Sequence, residues 1–362
     1  MFPALAVLQA LKSSVESSSP EAQHQILWVG GSDGMEVELV ERAGVSFDGI
    51  PAAGVHGVGL RALPGNTLQL GRGFLRSRAI LSRFQPDVLF FTGGYVAVPM
   101  ALAGRRTPSL LYVPDIEPAL ALKTLSRYAD RIAVTADISK EYFPDHSAVS
   151  VTGYPVRPEF MHWEEEAARQ AFGLSADLPT LLVFGGSKGA RSINRALLTV
   201  LPELLEDMQV VHISGSLDWD EVKAASSRLN AAQNQRYRVY PFLHEEMGAA
   251  LRAADLVVSR AGASTLGEFP AFGLPAILVP YPYAWRYQRV NAGYLEERGG
   301  AIVIEDSELP AQLLPQVQGL MLDNERRQDM RQTMLTLAKP DAAARIARIL
   351  LGMTGELEQE RM

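Results

Sequence analysis

The chain has 362 residues, enough for two domains of ordinary size, and 47% of them are hydrophobic. Its 34 Lys and Arg residues against 41 Asp and Glu residues give a formal net charge of -7. That charge argues against a nucleic-acid-binding protein, because phosphate contacts need a basic surface. The lack of cysteine excludes disulfides and cysteine-ligated metals and is typical of a reducing cytosol. The six histidines have no metal-ligand spacing, so we expect no structural zinc.

Neither a signal peptide nor a membrane-spanning helix is predicted. The N-terminal segment MFPALAVLQALKSS has no basic start and no clear cleavage site. The longest uncharged run, residues 88–104, is shorter than the roughly 20 apolar residues of a spanning helix, and glycines and a proline interrupt it. We interpret it as a buried strand, a glycine turn and the start of a helix.

Short apolar runs alternate with segments of helical spacing along the whole chain, which is typical of parallel sheets covered by helices. In the first part the predicted strands span residues 25–29, 88–92, 110–113, 132–135 and 149–152. In the second part they span residues 181–184, 210–214, 238–241, 256–259, 276–279 and 301–304. The pattern predicts an α/β fold with two doubly wound domains.

A segment with one glycine and two prolines, GYPVRP at residues 153–158, predicts the joint between these domains. We expect an N-terminal domain over residues 1–157 and a C-terminal domain over residues 158–340. The last segment, residues 341–362, begins with an amphipathic helix that we expect to pack back on the N-terminal domain.

Residues 68–84 predict a basic, amphipathic helix in an otherwise acidic chain. Its arginines are Arg72, Arg76, Arg78 and Arg83, and its apolar side chains include Phe74 and Leu75. Such a helix suits the anionic face of a membrane. A surface helix with a solvated arginine face is the equally good alternative.

Two glycine turns follow predicted strands. Gly93, Gly94 and Tyr95 come after the strand at 88–92, where they give either tight strand–helix packing or room for the phosphate or sugar of an acceptor. The second turn, GGSKGA at residues 185–190, lets the backbone approach a ligand, and Ser187 offers a hydroxyl. It matches neither the dinucleotide-binding nor the P-loop pattern and is a weak signal by itself.

The most informative stretch, residues 256–283, predicts strand, turn, helix, turn and strand. The turn at residues 262–265 opens a helix that Gly273 closes. Free N–H groups and the helix dipole at such a turn bind phosphate, and Glu268 in the first helical turn could hold the two hydroxyls of a ribose. A sugar nucleotide therefore fits the segment. The alternative is an ordinary helix start in which Thr265 and Glu268 form a capping box.

Taken in order, several motifs carry a resemblance over nearly the whole chain. They are PDVLFFTGGYVAVPMALA, GYPVR, GGSKGARSIN, SRAGASTLGEFPAFGLPAILVPYP and RYQRVNAGYLEERGGAIVI. Together they resemble the MurG family of bacterial glycosyltransferases. The resemblance implies a GT-B fold with two Rossmann-like domains facing a cleft, the C-terminal one binding the donor and the N-terminal one the lipid acceptor.

The implied activity is the inverting transfer of N-acetylglucosamine from UDP-N-acetylglucosamine to undecaprenyl-pyrophosphoryl-N-acetylmuramyl-pentapeptide. This step forms lipid II in peptidoglycan synthesis, and so serves cell-wall biogenesis, cell shape and division. The implied location is peripheral, on the anionic inner face of the bacterial cytoplasmic membrane. No metal or other cofactor is implied, and no nucleic acid.

By motif position, Arg157 and Leu243 would frame the uracil, and Ser187 would lie near the donor phosphates. Glu268 would hold the ribose, and Gln288 the N-acetylglucosamine. The helix start facing the diphosphate would consist of Ala263, Ser264, Thr265, Leu266 and Gly267. On the acceptor side the family pattern places Gly93, Gly94 and Tyr95, and the arginine-rich helix with Arg72, Phe74, Leu75, Arg76 and Arg78 falls where such enzymes dock on the membrane.

The sequence departs from the family pattern in two places. Such enzymes begin with a strand and a GGTGGHV loop before Phe-Pro, whereas this sequence starts at Met1. We therefore expect a mis-called start, with the first strand and the histidine that would act as base lying upstream. Second, the family's His-Glu-Gln-Asn run is replaced by YVPDIEP at residues 112–118, where Asp115 and Glu117 are either base candidates or turn residues.

These departures keep two further hypotheses open. One is a related GT-B transferase with another lipid acceptor, such as a diacylglycerol. The other is a membrane protein that binds a UDP-sugar without turning it over.

Overall fold

The structure is a computed structural model that describes residues 1–18, 24–31, 37–51, 63–94, 96–145, 148–186, 189–283 and 286–354. The chain divides into two compact units. Unit 1 comprises Met1–Pro155 and the segment from Pro340 onward, and unit 2 comprises Val156–Lys339.

Unit 1 is built from short parallel strands and the helices between them. Its strands are β1 (Leu27–Gly31), β2 (Ser46–Ile50), β3 (Leu89–Phe91), β4 (Ser109–Val113), β5 (Arg131–Val134) and β6 (Val149–Val151). Its helices are α1 (Phe2–Ser18), α2 (Val37–Arg42), α3 (Leu63–Phe84), α4 (Ala97–Ala103), α5 (Leu120–Leu125), the 3₁₀ helix Asp137–Tyr142 and, from the end of the chain, α15 (Ala342–Met353).

The described strands of unit 1 form two parallel sheets. One has the order β3-β4-β5-β6, and the other consists of β1 and β2. Helix α1 packs on both, because Val7 joins a cluster with Leu110 and Tyr112 of β4, while its neighbour Leu8 packs with Val45 next to β2. Helix α15 belongs to the first of these clusters through apolar residues that include Ile346.

Unit 2 begins with the 3₁₀ helix Pro158–His162. Its strands are β7 (Thr180–Phe184), β8 (Gln209–Ile213), β9 (Tyr237–Tyr240), β10 (Leu256–Ser259), β11 (Ala276–Leu278) and β12 (Ala301–Val303). Its helices are α6 (Glu165–Ala171), α7 (Arg191–Asp207), α8 (Trp219–Ser226), α9 (Ala231–Arg236), α10 (Met247–Ala253), α11 (Thr265–Phe272), α12 (Tyr287–Glu296), α13 (Leu309–Leu322) and α14 (Asn324–Leu337).

The six strands of unit 2 form one parallel sheet in the order β12-β11-β10-β7-β8-β9. Strands β8, β10 and β11 are buried along their whole length, as expected when helices cover both faces of a parallel sheet. The apolar face of α7, including Ile193, Leu197 and Leu204, packs on this sheet.

Helix α11 stops abruptly, which returns the chain to β11. Gly273 adopts a left-handed conformation with φ of 58°, and its N–H donates to the carbonyl of Pro270. The N–H of Leu274 reaches back to the carbonyl of Phe269, which completes a Schellman cap.

Each predicted strand is present within two residues of its expected bounds, and both units are α/β as predicted. Strand β2 was not predicted, because its sequence SFDGI contains Asp and Gly, which are depleted in strands. Within the described residues, no helix is both long and apolar enough to cross a membrane.

Candidate functional site

The strand order of unit 2 reverses between β7 and β10. The chain runs outward from β7 through β8 to β9, then returns to place β10 on the other side of β7. Strands β7 and β10 are paired so that Phe184 lies beside Ser259, the last residue of each strand. In open α/β sheets, ligands bind at the carboxyl ends of the strands where the order reverses. The loops after Phe184 and Ser259 are therefore the candidate site.

The loop after β7 packs so closely that it requires glycine. A Cβ atom on Gly185 would lie 2.3 Å from the Cβ of Ala190. One on Gly189, whose φ is +79°, would lie 2.2 Å from the carbonyl oxygen of Ser214 at the end of β8. This loop therefore holds the start of α7 against the sheet edge. Ser187, expected near the donor phosphates, lies outside the described residues.

The loop after β10 presents the start of α11, with Ser264 as the N-cap residue. The capping box considered for Thr265 is wrong, because the Thr265 hydroxyl donates instead to the carbonyl of Gly262 at 2.7 Å. Among the described residues, the backbone N–H groups of Ala263 and Ser264 have no hydrogen-bond acceptor. Together with the helix dipole, these N–H groups suit an anionic ligand.

Glu268 lies in the first turn of the same helix and is buried. Burial raises the pKa of Glu268 to about 7, against the opposing effects of the Arg157 charge and a hydrogen bond with Ser264. Hydrogen bonds from ligand hydroxyls stabilise a buried carboxylate, because they replace part of the hydration that it lost on burial.

Arg157 precedes the first 3₁₀ helix of unit 2, and its guanidinium carbon lies 3.6 Å from the ring centroid of Phe160. Its charge acts on Glu268, so the structure brings these two predicted residues together. Leu243 is buried in the loop after β9, the edge strand, two strands away from β7.

Gln288 lies in the first turn of α12, beyond the strand that neighbours β10. Its Oε1 accepts a hydrogen bond from the backbone N–H of Tyr281 at 2.8 Å. Because that oxygen is engaged, the group that Gln288 can offer a ligand is its amide N–H.

Sequence reasoning missed a largely buried arginine that connects three segments of the site. Arg260, directly after β10, donates to the Ser192 hydroxyl at 2.8 Å and to Asp306 at 2.5 Å. Ser192 lies in the first turn of α7, and Asp306 follows β12. Arg260 therefore fixes the starts of α7 and α11 relative to each other. In the sequence, the only signal for this role is the position of an arginine at a strand end.

A second unpredicted network supports the start of α7. His212 is fully buried and its Nε2 lies 2.9 Å from the Oδ1 of Asn194, whose amide donates to Asp218 at 2.9 Å. Asp218 in turn accepts from Arg191, the first residue of α7, at 2.8 Å. Burial lowers the pKa of His212 to about 3, so the ring is neutral and its Nε2–H donates to Asn194.

In unit 1, the glycine turn after β3 adopts left-handed backbone conformations, with φ of 105° at Gly93 and 87° at Gly94. A Cβ on Gly93 would lie 3.3 Å from Leu122, whereas one on Gly94 would meet open space. Packing therefore accounts for Gly93, and Gly94 leaves room for a ligand. Tyr95 lies outside the described residues.

Asp115 and Glu117 follow β4 at its carboxyl end. The Glu117 carboxylate is buried and pairs with the Lys123 ammonium at 3.2 Å. Asp115 is half-buried, and its charge acts on the phenol of Tyr112. No group of His, Asp or Glu residues suited to a metal ion occurs in the part of the chain that the structure describes.

Two of the four arginines of helix α3 form surface ion pairs with one carboxylate. Asp48 of β2 accepts from Arg76 at 2.9 Å and from Arg83 at 2.6 Å. Burial acts to raise the pKa of Asp48, but the hydrogen bonds from the two arginines outweigh it and hold the pKa below its ordinary value. On the outer side, Leu75 is 66% exposed.

Comparison with known proteins decides the family. Residues 1–134 match the Glycosyltransferase family 28 N-terminal domain, and residues 180–346 match the Glycosyltransferase family 28 C-terminal domain. The chain belongs to glycosyltransferase family 28.

Two relatives within this family carry the same printed name, UDP-N-acetylglucosamine--N-acetylmuramyl-(pentapeptide) pyrophosphoryl-undecaprenol N-acetylglucosamine transferase. The protein of Desulforudis audaxviator (strain MP104C) is 40% identical, over 98% of this chain and 96% of the relative. The protein of Roseiflexus sp. (strain RS-1) is 38% identical, over 97% of this chain and 91% of the relative. The predicted resemblance to the MurG family is confirmed.

The solved structure of Acinetobacter baumannii MurG is similar to this chain with a TM-score of 0.73 and 24% identity, covering 97% of this chain and 95% of that one. This similarity concerns the fold. The GT-B prediction, with two Rossmann-like units in a family 28 glycosyltransferase, is confirmed.

Proposed function

We propose that this family 28 glycosyltransferase transfers N-acetylglucosamine from UDP-N-acetylglucosamine to undecaprenyl-pyrophosphoryl-N-acetylmuramyl-pentapeptide, the lipid-II-forming step of peptidoglycan synthesis. The names of relatives that align over nearly the whole chain support this activity. The observation that carries it structurally is the start of α11 at the reversal point of the sheet, with buried Glu268 in its first turn. That arrangement combines an anion site with a hydroxyl acceptor, as a nucleotide sugar requires.

We assign the donor as follows. Its diphosphate lies against the N-terminus of α11, from Ala263 to Gly267, with Ser187 contributing from the other loop. Its ribose hydroxyls donate to Glu268, and its uracil lies between Arg157 and Leu243. The amide of Gln288 donates to a hydroxyl of the N-acetylglucosamine.

The reaction is an inverting displacement. A base removes the proton from the C4 hydroxyl of the muramyl sugar, and that oxygen attacks the anomeric carbon opposite the diphosphate. The bond from the anomeric carbon to the phosphate oxygen breaks, and UDP leaves with the bonding electron pair. The N–H groups at Ala263 and Ser264, with the α11 dipole, stabilise the charge that develops on the diphosphate. We assign no metal to this step.

For the base we favour Asp115 over Glu117. The Glu117 carboxylate is occupied by Lys123, which makes it a structural ion pair. Asp115 lies at the carboxyl end of β4, the edge of a parallel sheet where substrates bind.

We further propose that α3 docks on the anionic inner face of the bacterial cytoplasmic membrane. On a helix, positions three apart lie close together, so Arg72, Leu75 and Arg78 form one exposed strip. This strip, here called the docking strip, combines an apolar side chain with two cations, as an interfacial helix does. Arg76, one turn after Arg72, is left out of the strip because its guanidinium pairs with Asp48.

A transfer assay with defined lipids tests the activity. We expect the chain to convert UDP-N-acetylglucosamine and the undecaprenyl-linked acceptor to UDP and the lipid-linked disaccharide, with activity persisting in EDTA. UDP-galactose with diacylglycerol is the comparison pair. Turnover of that pair alone identifies a transferase with a different acceptor, and donor binding without any turnover identifies a UDP-sugar-binding protein.

Donor affinity depends on the ionisation of Glu268. Ribose hydroxyls donate to the carboxylate form, so binding is favoured above the pKa of about 7 and weakens as the pH falls through it. Calorimetry with UDP-N-acetylglucosamine, whose phosphates keep their charge in this range, should show Kd rising about tenfold from pH 8 to pH 6. Glu268→Gln should bind weakly and without this pH dependence. The same dependence in the variant rules out Glu268 as its origin.

Removing the proposed base should lower the rate of the chemical step and leave the affinity for the donor unchanged. Asp115→Asn should reduce kcat about 100-fold or more, with Kd for UDP-N-acetylglucosamine unchanged. Glu117→Gln is the matched variant and should keep kcat close to the wild-type value, with circular dichroism as the check on folding. Wild-type kcat in Asp115→Asn assigns proton removal to another group.

Membrane binding should depend on the docking strip. The double variant Arg72→Ser with Arg78→Ser should bind vesicles rich in anionic phospholipid about thirtyfold more weakly, since each cation near such a surface contributes about 1 kcal/mol. Arg228→Ser with Arg326→Ser, both exposed residues of unit 2, removes the same charge elsewhere and should bind normally. Equal losses in the two double variants attribute binding to net charge and refute a docking face on α3.

A further inference from the structure

Two tyrosines stand exposed at the carboxyl edge of the unit 2 sheet, directly after β11. Tyr281 is 44% exposed and Tyr283 is 81% exposed. Their ring centroids are 5.6 Å apart with an interplanar angle of 68°, so the rings pack edge to face. Aromatic side chains exposed beside a ligand site favour contact with an apolar part of the ligand.

The tyrosine pair is anchored to the site by Arg260. The guanidinium carbon of Arg260 lies 5.2 Å from the ring centroid of Tyr281, within the range of a cation–π contact. The same guanidinium donates to the carbonyl of Val279 at 3.1 Å and to Ser192 at the start of α7. The tyrosine pair therefore lies next to Arg260, the residue that connects the two loops of the candidate site.

The tyrosine pair also shares a turn with the amide assigned to the sugar. The backbone N–H of Tyr281 donates to the Oε1 of Gln288 at 2.8 Å, which holds the amide N–H of Gln288 beside the tyrosines. A pyranose ring presents hydroxyls around its edge and C–H groups on its faces. An amide next to an aromatic surface matches both parts of such a ring.

We propose that Tyr281 and Tyr283 form a stacking surface for the N-acetylhexosamine ring of the donor. This assignment rests on the proposed function and adds two residues to the donor site. Tyr283 contacts a C–H face of the sugar while Gln288 binds its hydroxyl edge. Arg260 stabilises the surface through its cation–π contact with the ring of Tyr281.

Comparing two ligands tests the assignment, because UDP lacks the sugar. In calorimetric titrations, Tyr283→Ala should bind UDP-N-acetylglucosamine about tenfold more weakly, since it loses the buried apolar contact, and should bind UDP as the wild type does. Tyr283→Phe keeps the ring and should retain wild-type affinity for both ligands. Tyr294→Ala is the control and should bind both ligands as the wild type does. Tyr294 of α12 lies outside the tyrosine pair and packs against Arg298, whose guanidinium carbon is 3.8 Å from its ring centroid.

The outcomes separate this assignment from the proposed function. Wild-type affinity for UDP-N-acetylglucosamine in Tyr283→Ala overturns the stacking surface, while donor binding by the wild type leaves the transferase proposal standing. Equal losses for UDP and UDP-N-acetylglucosamine overturn it too, because they show a general effect on the turn. A rise in the acceptor KM alone assigns the tyrosines to the acceptor and also refutes the proposal. If the wild-type chain binds neither ligand, both proposals fall.

Discussion

The proposed donor site depends on one constraint, the reversal of strand order between β7 and β10. The connection after β7 leads to β8 on one side, and the connection after β10 leads to β11 on the other side. Because crossovers between parallel strands are right-handed, the two connecting helices, α7 and α11, lie on opposite faces of the sheet. The loops leading into these helices therefore diverge after Phe184 and Ser259, although the strands themselves are paired. Every residue that we assign to the diphosphate and ribose lies on one of these two loops or in the turn that follows.

Diverging loops bind a ligand well only if they are held in place before it arrives. Arg260 holds the start of α7 to the end of β10, and the chain from His212 through Asn194 and Asp218 holds Arg191 to β8. A buried neutral histidine is well suited to this, because burial lowers its pKa to about 3 and its hydrogen bonds keep one direction at neutral pH. Preorganised groups of this kind need no reorganisation when charge develops on the leaving diphosphate.

The strands were predictable because they rest on local pattern, and the proposed donor site was inferred from the same pattern. Apolar runs ending in glycine turns marked β7 and β10, and the position of Glu268 in the first turn of a helix suggested the ribose assignment that we propose. Partners distant in sequence were not predictable. Arg260 meets Ser192 and Asp306 across 68 and 46 residues, and no spacing rule reveals such contacts. Even the local capping box failed, because the Thr265 hydroxyl turns back to Gly262.

The arginine helix shows the same limit. The sequence pattern does not distinguish the four arginines of α3. In the structure, two of them pair with Asp48, which lies in the unpredicted strand β2. Asp48 thus engages the guanidinium groups of Arg76 and Arg83, while Leu75 of the same helix is 66% exposed. A tertiary contact thus decides which arginines of α3 take part in ion pairs with Asp48, which the helical period alone could not.

The segment after β4 was expected to carry acceptor chemistry, and the structure shows which of its residues is accessible. Tyr112 stands at the start of the segment YVPDIEP, and it is fully buried with its hydroxyl 2.9 Å from that of Thr135. Burial raises the pKa of the Tyr112 phenol far above its ordinary value, so this group stays protonated and cannot accept a proton. Tyr112 is therefore a core residue of β4. Any acceptor chemistry in this segment falls to Asp115, which is half-buried just beyond the strand end, whereas residues 116–118 are buried again.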